Sequence, residues 1–413
     1  STWHDASIAS VKNGKLKLLL ESERFSHIKH DKMSPACIGE FIKQGGENIN
    51  DIPHAGLDIN STHHVYHAAH AFYDSGFKEA VCVIVDGMGS EVEIDDPYFQ
   101  RGTYGRECVS IYKLGYPNSI ELVYRIVSTP FECDFVMSDQ KTQVFKAISP
   151  GLLFQKTCEN WGMNWYDAGK LMALASYETR EIRWDKIENN FEIDPTDLRK
   201  IKLKKDFNTF EEKVKFCVWL QRYTQQYVHY LVVQAIELSG CKNVCLSGGY
   251  FLNCVANYYF LKTLPKDINV YVEPISSDAG TSMGIAKYYW HQLTKDKTIR
   301  KQKSLYYGNQ SMMNEDNIKK LFKDYKVTKT TKKEVAKLLS ENNIVGLFQG
   351  KCESGPRALG NRSLLFNPMN KDGQDIVNTI KKREKFRPFA ATVLEEHAEY
   401  WFDLKHMPNS KFM

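Results

Sequence analysis

The sequence predicts an α/β fold, and three observations carry that reading. An N-terminal hairpin signal is followed by alternating helical and strand-type segments. Two separate blocks, residues 1–90 and 215–292, each place a Gly-containing loop directly after a buried strand. The composition, 42% hydrophobic and 25% charged over 413 residues, is that of an ordinary globular chain. It excludes a mainly disordered chain, a collagen-like chain and a coiled coil.

Residues 6–21 set two strand-type runs either side of Asn13-Gly14, a dipeptide that accepts the positive φ of a tight hairpin turn. Ser34-Pro35 reads as a helix N-cap followed by Pro at the first helical position, with Cys37, Ile38, Phe41 and Ile42 at helical spacing. Ile52–Ile59 is a candidate short strand. His63–Tyr73 reads as a helix ended by Ser75-Gly76, and Ala80–Val85 as a buried strand that runs into Asp86-Gly87-Met88-Gly89. Residues 90–160 alternate strand-type runs with polar loops. Lys213–Ser239 is a long helix closed by Gly240. Asn243–Leu246 is a strand leading into Ser247-Gly248-Gly249, Tyr250–Leu264 is helical, and Ile268–Glu273 is a strand. Asp278-Ala279-Gly280 then opens a helix to about Trp290. Residues 294–335 are Lys-rich and weakly patterned, as expected of a linker or solvated surface near a domain boundary. Ile344–Phe348 resumes as a strand, and the C-terminal stretch is dense in Arg, Pro and aromatics.

Composition narrows the function classes. Net charge is +5, from 55 basic and 50 acidic residues, which gives little support for general nucleic-acid binding. No apolar run approaches the roughly 18–20 residues of a membrane span. Ten scattered cysteines without a Cys-x-x-Cys pair do not match a secreted disulfide scaffold. They point to buried small apolar roles in a reducing, cytoplasmic compartment. The chain opens Ser1-Thr2-Trp3-His4-Asp5, without a signal-peptide pattern and without Met. The 413 residues are therefore expected to be a portion of a longer product.

The densest chemistry lies in Thr62-His63-His64-Val65-Tyr66-His67-Ala68-Ala69-His70, where four of the 12 histidines fall within eight residues. On a helix His63 and His67 share a face, and two imidazoles at that spacing can reach one metal ion. A polar helix end enriched in His by chance is the plain alternative, and spacing leaves both open. Asp86 and Asp278 each follow a strand, where a carboxylate can point into a cleft. Asp86 can equally be an Asp-Gly turn, and Asp278 a helix N-cap. With two histidines they make a mixed N/O set suited to iron, manganese or zinc. Ser247-Gly248-Gly249 follows a strand and opens a helix, a geometry that can approach a nucleotide phosphate or ribose but is common elsewhere. Gly355-Pro356-Arg357-Ala358-Leu359-Gly360-Asn361-Arg362-Ser363 sets two arginines among small residues. Lys382-Arg383-Glu384-Lys385-Phe386-Arg387-Pro388-Phe389 adds cations with aromatic backing. Guanidinium forks suit phosphates, and a basic surface is the bland reading.

Taken together and in order, these motifs resemble the O-carbamoyltransferases of nodulation-factor, cephalosporin and aminoglycoside-antibiotic carbamoylation. The matching segments are His4-Asp5-Ala6-Ser7, Glu23-Arg24-Phe25 with Lys29-His30-Asp31, and His63-His64-x-x-His67-Ala68-Ala69. They continue with Val85-Asp86-Gly87, Gly169–Ala175, Ser247-Gly248-Gly249 with Asn253 and Asn257, Ser277–Thr281, Gly355–Ser363 and Arg383-Glu384-x-Phe386-Arg387-Pro388-Phe389-Ala390. The resemblance spans nearly the whole chain.

It implies an actin-like, two-lobed domain over residues 1–315, similar to the threonylcarbamoyl-transferring protein of tRNA modification. An α/β carbamoyl-adenylate-forming domain, carried only in part, would begin at 316–413. It implies that carbamoyl phosphate and ATP yield a carbamoyl adenylate, whose carbamoyl group passes to a hydroxyl of a sugar, antibiotic, modified nucleotide or related small acceptor. His63, His67, Asp86 and Asp278 match the family's metal ligands, with Fe(II) or another divalent metal implied. His4 matches its general base. Gly248, Gly249 and Asn253 would cradle the adenylate, and Arg357, Arg362, Arg383 and Arg387 would neutralise phosphates. A homodimer is left open.

The chain departs from the family pattern in three places. Trp3 stands where Gly is usual, Tyr250-Phe251-Leu252 replace small residues, and His70 replaces a small residue. Helix geometry turns His70 some 60–100° from the His63/His67 stripe, so it is expected behind the ligands or at the surface. N6-threonylcarbamoyl transfer to tRNA, a non-catalytic nucleotide- and metal-binding scaffold and an actin-like sugar kinase are the competing readings.

Overall fold

The computed structural model describes residues 4–45, 63–95, 99–129, 134–137, 139–145, 148–177, 191–193, 201–309, 314–405, 407 and 410–413. The expected strand at Ile52–Ile59 and the residue Trp3 lie outside them. The chain divides into two compact units, Ser1–Lys303 and Ser304–Met413.

The first unit opens with strands β1 (Ser7–Lys12) and β2 (Lys15–Glu21), paired antiparallel around Asn13 and Gly14 at φ 53° and 68°. A short helix α1 (Glu23–Ser26) and helix α2 (Pro35–Lys43) follow. Ser34 caps α2 through its side chain, which accepts from the Cys37 N–H, with Pro35 at the first helical position as expected. Helix α3 (His63–Ser75) then turns directly into β3 (Glu79–Val85).

Strand β3 sits at the centre of an eight-stranded mixed sheet. The other members are β4 (Glu91–Glu93), β5 (Tyr104–Gly115), β6 (Ser119–Ser128), β7 (Asp134–Val136), β8 (Thr142–Phe145), β11 (Asn243–Ser247) and β12 (Asn269–Val272). The path is β12-β11-β3-β5-β6-β8-β7, with β4 also on β5. The β12, β11 and β3 strands are parallel, and β5 runs antiparallel to β3. The α/β class expected from the sequence is what the structure shows.

The run Ala80–Val85 is wholly buried because both of its faces are covered. Ala80, Cys82 and Ile84 meet Ala68, Ala69, Ala71, Phe72 and Tyr73 of α3. Val81, Val83 and Val85 alternate to the other face. There the long helix α6 (Phe210–Ser239) packs on β3, itself packed by α5 (Ala168–Ala175) and α4 (Pro150–Asn160). Thr209 and Glu212 close its N-terminus as a capping box, and Gly240 closes the other end. A separate pair, β9 (Phe191–Ile193) with β10 (Ile201–Leu203), lies off the main sheet.

Two expected boundaries shift. The helix read at Tyr250–Leu264 is broken: a 3-10 turn at Gly249–Leu252 precedes α7 (Cys254–Thr263), because Asn253 turns out of helical conformation to cap α7 at the Ala256 N–H. Helix α8 (Thr281–Thr294) begins after a 3-10 turn at Asp278–Gly280. Its N-cap is not Asp278, whose carboxylate is used elsewhere.

In the second unit, α9 (Glu315–Leu321) and α10 (Lys332–Ser340) occupy part of the stretch expected to be linker. Helix α10 starts at a Thr331–Glu334 capping box. Strand β13 (Val345–Phe348) pairs antiparallel with β14 (Arg362–Leu365). Helices α11 (Gly373–Ile380) and α12 (Ala398–Trp401) complete the unit. Among the described residues no helix is long and apolar enough to cross a membrane. The nine described cysteines are all free, and seven are buried.

Helix α3 is buried on nearly every side, which requires unusually close neighbours. Gly284 of α8 provides one: a Cβ there would lie 2.0 Å from the Tyr66 carbonyl oxygen of α3. Gly284→Ala should therefore destabilise the chain by roughly 1–3 kcal/mol, the cost of overpacking, measured by urea unfolding.

Candidate active site

The topology brings distant residues to one place. Helix α3 is joined to β3 by a tight turn and lies antiparallel to it, so the α3 N-terminus overhangs the β3 carboxyl end. Parallel β11 and β12 end at the same edge, where ligands of open α/β sheets bind. His63 and His67 come from α3, Asp86 from the loop after β3, and Asp278 from the loop after β12.

Their ligand atoms all lie within 4.8 Å of one another. His63 Nε2 is 3.0 Å from Asp86 Oδ2, 3.2 Å from His67 Nε2 and 3.5 Å from Asp278 Oδ1. His67 Nε2 is 3.5 Å from Asp278 Oδ1 and 3.9 Å from Asp86 Oδ2. Bonds of about 2.0–2.2 Å from one divalent ion to N and O ligands give edges of this length. Two of the ligands, Asp86 and His67, are oriented from behind. Asp86 Oδ1 accepts the Gly249 N–H at 3.0 Å, and Ser247 Oγ lies 3.4 Å from His67 Nδ1, turning Nε2 inward. The Asp86 carbonyl oxygen accepts from the Ser149 hydroxyl.

Electrostatics fit a cation. Burial alone would lower the His63 pKa, but the Asp278 and Asp86 carboxylates push it up to about 10. Burial would raise both carboxyls. The imidazoles instead hold Asp86 down to about 2 and Asp278 well below its usual range. His67 is lowered, chiefly by burial. Two buried carboxylates thus recruit one positive charge. A divalent ion on the same donors would supply it.

His4 joins this cluster. Its Nε2 is 3.6 Å from Asp278 Oδ2, and its Nδ1 is 3.0 Å from Asp5 Oδ2. Burial would lower its pKa, but the Asp5 hydrogen bond and the Asp278 charge raise it. Trp165 and Tyr166 flank the ring at 6.3 and 5.5 Å between centroids. Sequence reasoning assigned no role to these aromatics; they directly precede the Gly169–Ala175 motif, which forms α5.

The glycine loop stands at the same edge. Gly248 has φ 101°, and a Cβ there would meet the Val85 carbonyl oxygen at 2.4 Å, so only glycine fits between β11 and β3. Asn253 exchanges hydrogen bonds with Gln221 at 3.0 and 3.2 Å. Tyr250 and Phe251 are buried in the core, with Phe251 against Phe260.

His70 is corrected. It is wholly buried, not at the surface, with Nε2 3.4 Å from Asp74 Oδ2 and 3.3 Å from Glu273 Oε1. Lys287 of α8 pairs with Asp74, and Tyr271 donates to Glu273 at 3.0 Å. This buried ionic group ties α3, α8 and the end of β12 together behind the ligands. Only the placement of Glu273 after β12 and Lys287 on α8 turns His70 inward.

On the other side, His64 bonds Ser110 at 2.7 Å and faces Glu107 at 3.8 Å. Both are fully buried, and burial pushes His64 well below its usual pKa. Glu107 was not legible in the sequence, because it sits in a strand whose pattern gives no sign that a charge points inward.

The arginines belong to the second unit. Glu353, buried there, accepts from the Leu359, Asn361 and Arg362 N–H groups at 2.8, 2.7 and 3.0 Å and so shapes the Gly355–Ser363 loop. Burial would raise its carboxyl, but these donors lower it. Arg362 lies 3.9 Å from Glu353, and Arg357 stands half-buried in the same loop. Arg383 donates to the Asn378 side-chain oxygen and stacks over Phe389 at 4.4 Å, while Arg387 lies 3.9 Å from Glu384.

Comparison with known proteins shows the family. The family model described as Carbamoyltransferase N-terminus matches residues 42–287, and Carbamoyltransferase C-terminus matches residues 336–413. The chain belongs to the carbamoyltransferase family. It is 26% identical to the uncharacterized protein sll1178 of Synechocystis sp., over 97% of this chain and 76% of that one. It is 25% identical to nodulation protein NolNO of Sinorhizobium fredii, over 97% of this chain and 64% of that one. Against the uncharacterized protein MJ1058 of Methanocaldococcus jannaschii, at 28% identity, it spans 84% of its own length and 58% of the relative. Among solved structures, the T. kodakarensis HypF aligns with a TM-score of 0.42 at 12% identity, over 71% of this chain and 47% of that one.

Burial pushes the Glu107 carboxyl up from 4.5 to about 7. A raised carboxyl is accommodated best when protonated. Its contribution is therefore full below about pH 4.5 and is lost as pH rises through about 7. Relative to wild type, Glu107→Gln should gain about 3 kcal/mol across that window, read from denaturant unfolding at each pH.

Proposed function

We propose that the chain is an O-carbamoyltransferase acting through a carbamoyl adenylate made from carbamoyl phosphate and ATP. The observation that carries this is the meeting of His63, His67, Asp86 and Asp278 with His4 at the carboxyl edge of β3, β11 and β12. Family membership and the arginine-bearing second unit support it.

His63, His67, Asp86 and Asp278 would hold Fe(II) or another divalent metal. Bound there, such an ion polarises the carbamoyl carbonyl and offsets the charge developing on its oxygen. His4 takes the proton of the acceptor hydroxyl as that oxygen bonds to the carbamoyl carbon, and the bond to AMP breaks. A carbamate ester and AMP are the products. An imidazole suits that proton because its ordinary pKa lies near neutrality. Gly248, Gly249 and Asn253 would cradle the adenylate. Arg357, Arg362, Arg383 and Arg387 bind the phosphates of ATP and carbamoyl phosphate. A sugar, nucleotide or related small hydroxyl compound is the acceptor, and the reaction runs in the cytoplasm.

Incubation with labelled carbamoyl phosphate and ATP across acceptor classes should yield a labelled carbamate ester. ATP consumption indifferent to carbamoyl phosphate would refute the reading. Metal analysis should find about one divalent ion per chain. His63→Ala should weaken its binding by at least 10–100-fold, the loss seen when even an outer partner of a ligand is removed. His4→Ala should retain adenylate formation, followed as pyrophosphate exchange, and lose transfer by roughly 100- to 10,000-fold.

A further inference from the structure

We propose that Asp5 and His30 are positioning residues that fix the ring orientation and tautomer of His4. The role of His4 as acceptor base rests on the function proposed above; the clamp itself rests on geometry alone.

Asp5 stands between two imidazoles. Its Oδ2 lies 3.0 Å from His4 Nδ1, and its Oδ1 lies 2.7 Å from His30 Nδ1. An ionised carboxylate only accepts hydrogen bonds, so each Nδ1 must carry the hydrogen. Burial would raise the Asp5 carboxyl, but its bonds to His30 and His4 hold it lowered and ionised. With Nδ1–H committed to Asp5, neutral His4 presents a basic Nε2. That nitrogen is the one turned toward Asp278, at 3.6 Å. The opposite tautomer would put a hydrogen on Nε2 and remove the base.

His30 makes Asp5 rigid, and is itself held on three sides. Its ring stacks on Tyr166 at 4.1 Å and 15°. Its backbone N–H donates to Glu23 Oε2 at 3.1 Å, and Arg24 holds the other Glu23 oxygen at 2.7 Å. The neighbouring Asp31 carbonyl accepts from the Ala6 N–H at 3.1 Å, tying this loop to the start of β1. Asp5 and His30 both adopt left-handed backbone, at φ 48° and 55°. Asp and His are among the side chains that best tolerate that conformation.

A cation held by Asp5, Glu23 and His30, whose ligand atoms also lie within 4.8 Å of one another, is the competing reading. It is disfavoured because Glu23 is already paired with Arg24 and the His30 N–H, and both Asp5 oxygens are taken by imidazoles.

The test reads tautomers by nuclear magnetic resonance on the full chain labelled with ¹⁵N-histidine. The chain is freed of metal by chelation and studied at the alkaline end of a pH series, where His4 is neutral. His4 signals are assigned by their loss in His4→Gln. The wild type should show the Nδ1–H form of His4. Asp5→Asn should convert it to the Nε2–H form or a mixture, since an amide can donate to Nδ1. Asn is also the replacement best able to keep φ 48°. His30→Asn, which leaves the His4–Asp5 pair in place, should shift the population part-way and serves as the second variant. An Nε2–H form in the wild type, or populations unmoved by both substitutions, would overturn the proposal. Because no turnover is needed, failure of carbamoyl transfer would refute the proposed function without touching this result.

Discussion

Two carboxylates, Asp86 and Asp278, are buried a few ångströms apart, and much of the first unit follows from keeping them there. Like charges out of water are tolerated only when paired and hydrogen-bonded. The pairing comes from His63 and His67, one helical turn apart on α3. The hydrogen bond comes from the Gly249 N–H, which reaches Asp86 only because Gly248 lets β11 pass close to β3. To carry both imidazoles over the sheet edge, α3 must itself be buried. Its small residues, the Gly284 contact and the His70–Asp74–Glu273–Lys287 group are the means.

Much of this was legible in the sequence, for local reasons. Hairpin, caps and buried strand are written in short-range patterns: Asn13-Gly14 at a turn, Ser34-Pro35 at a helix start, an unbroken apolar run at β3. The i, i+4 spacing of His63 and His67 is equally local. Meeting Asp86 and Asp278 required the motif order of a family, because nothing in the residues near Asp278 says that its side chain leaves the helix start. What stayed hidden depends on partners far along the chain. His70 looked able to reach the surface until Glu273 and Lys287 enclosed it. Glu107 lies in residues 90–160, read only as alternating strand-type runs and polar loops. Glu353, which gathers three backbone N–H groups of one loop, lies just before the Gly355–Ser363 motif and was not singled out. Asn253 broke a helix that periodicity alone would continue.

The two units divide the chemistry by type. In Ser1–Lys303 the candidate groups are imidazoles and carboxylates on a helix and on loops at strand ends, held by packed elements. In Ser304–Met413 the groups proposed for phosphate are guanidinium groups on loops and at the start of β14, organised by single anchors: Glu353 for one loop, Asn378 and the Phe389 ring for Arg383. Directional donors on fixed elements suit a bond-making centre, whereas long cationic arms suit the diffuse charge of phosphates.

The β1 edge of the site carries one last consequence. Ser7 Oγ donates to the Ala279 carbonyl at 2.8 Å, across 272 residues of sequence, and lies 2.7 Å from Ser282 Oγ. The hairpin bearing His4 is therefore seated by a loop made far later. At ribosomal rates of roughly 5–20 residues per second, that partner follows by about 15–50 seconds. Through that interval the hairpin waits on the nascent chain. His4 and the carboxylate it faces, Asp278, can come together only once the loop after the third parallel strand exists.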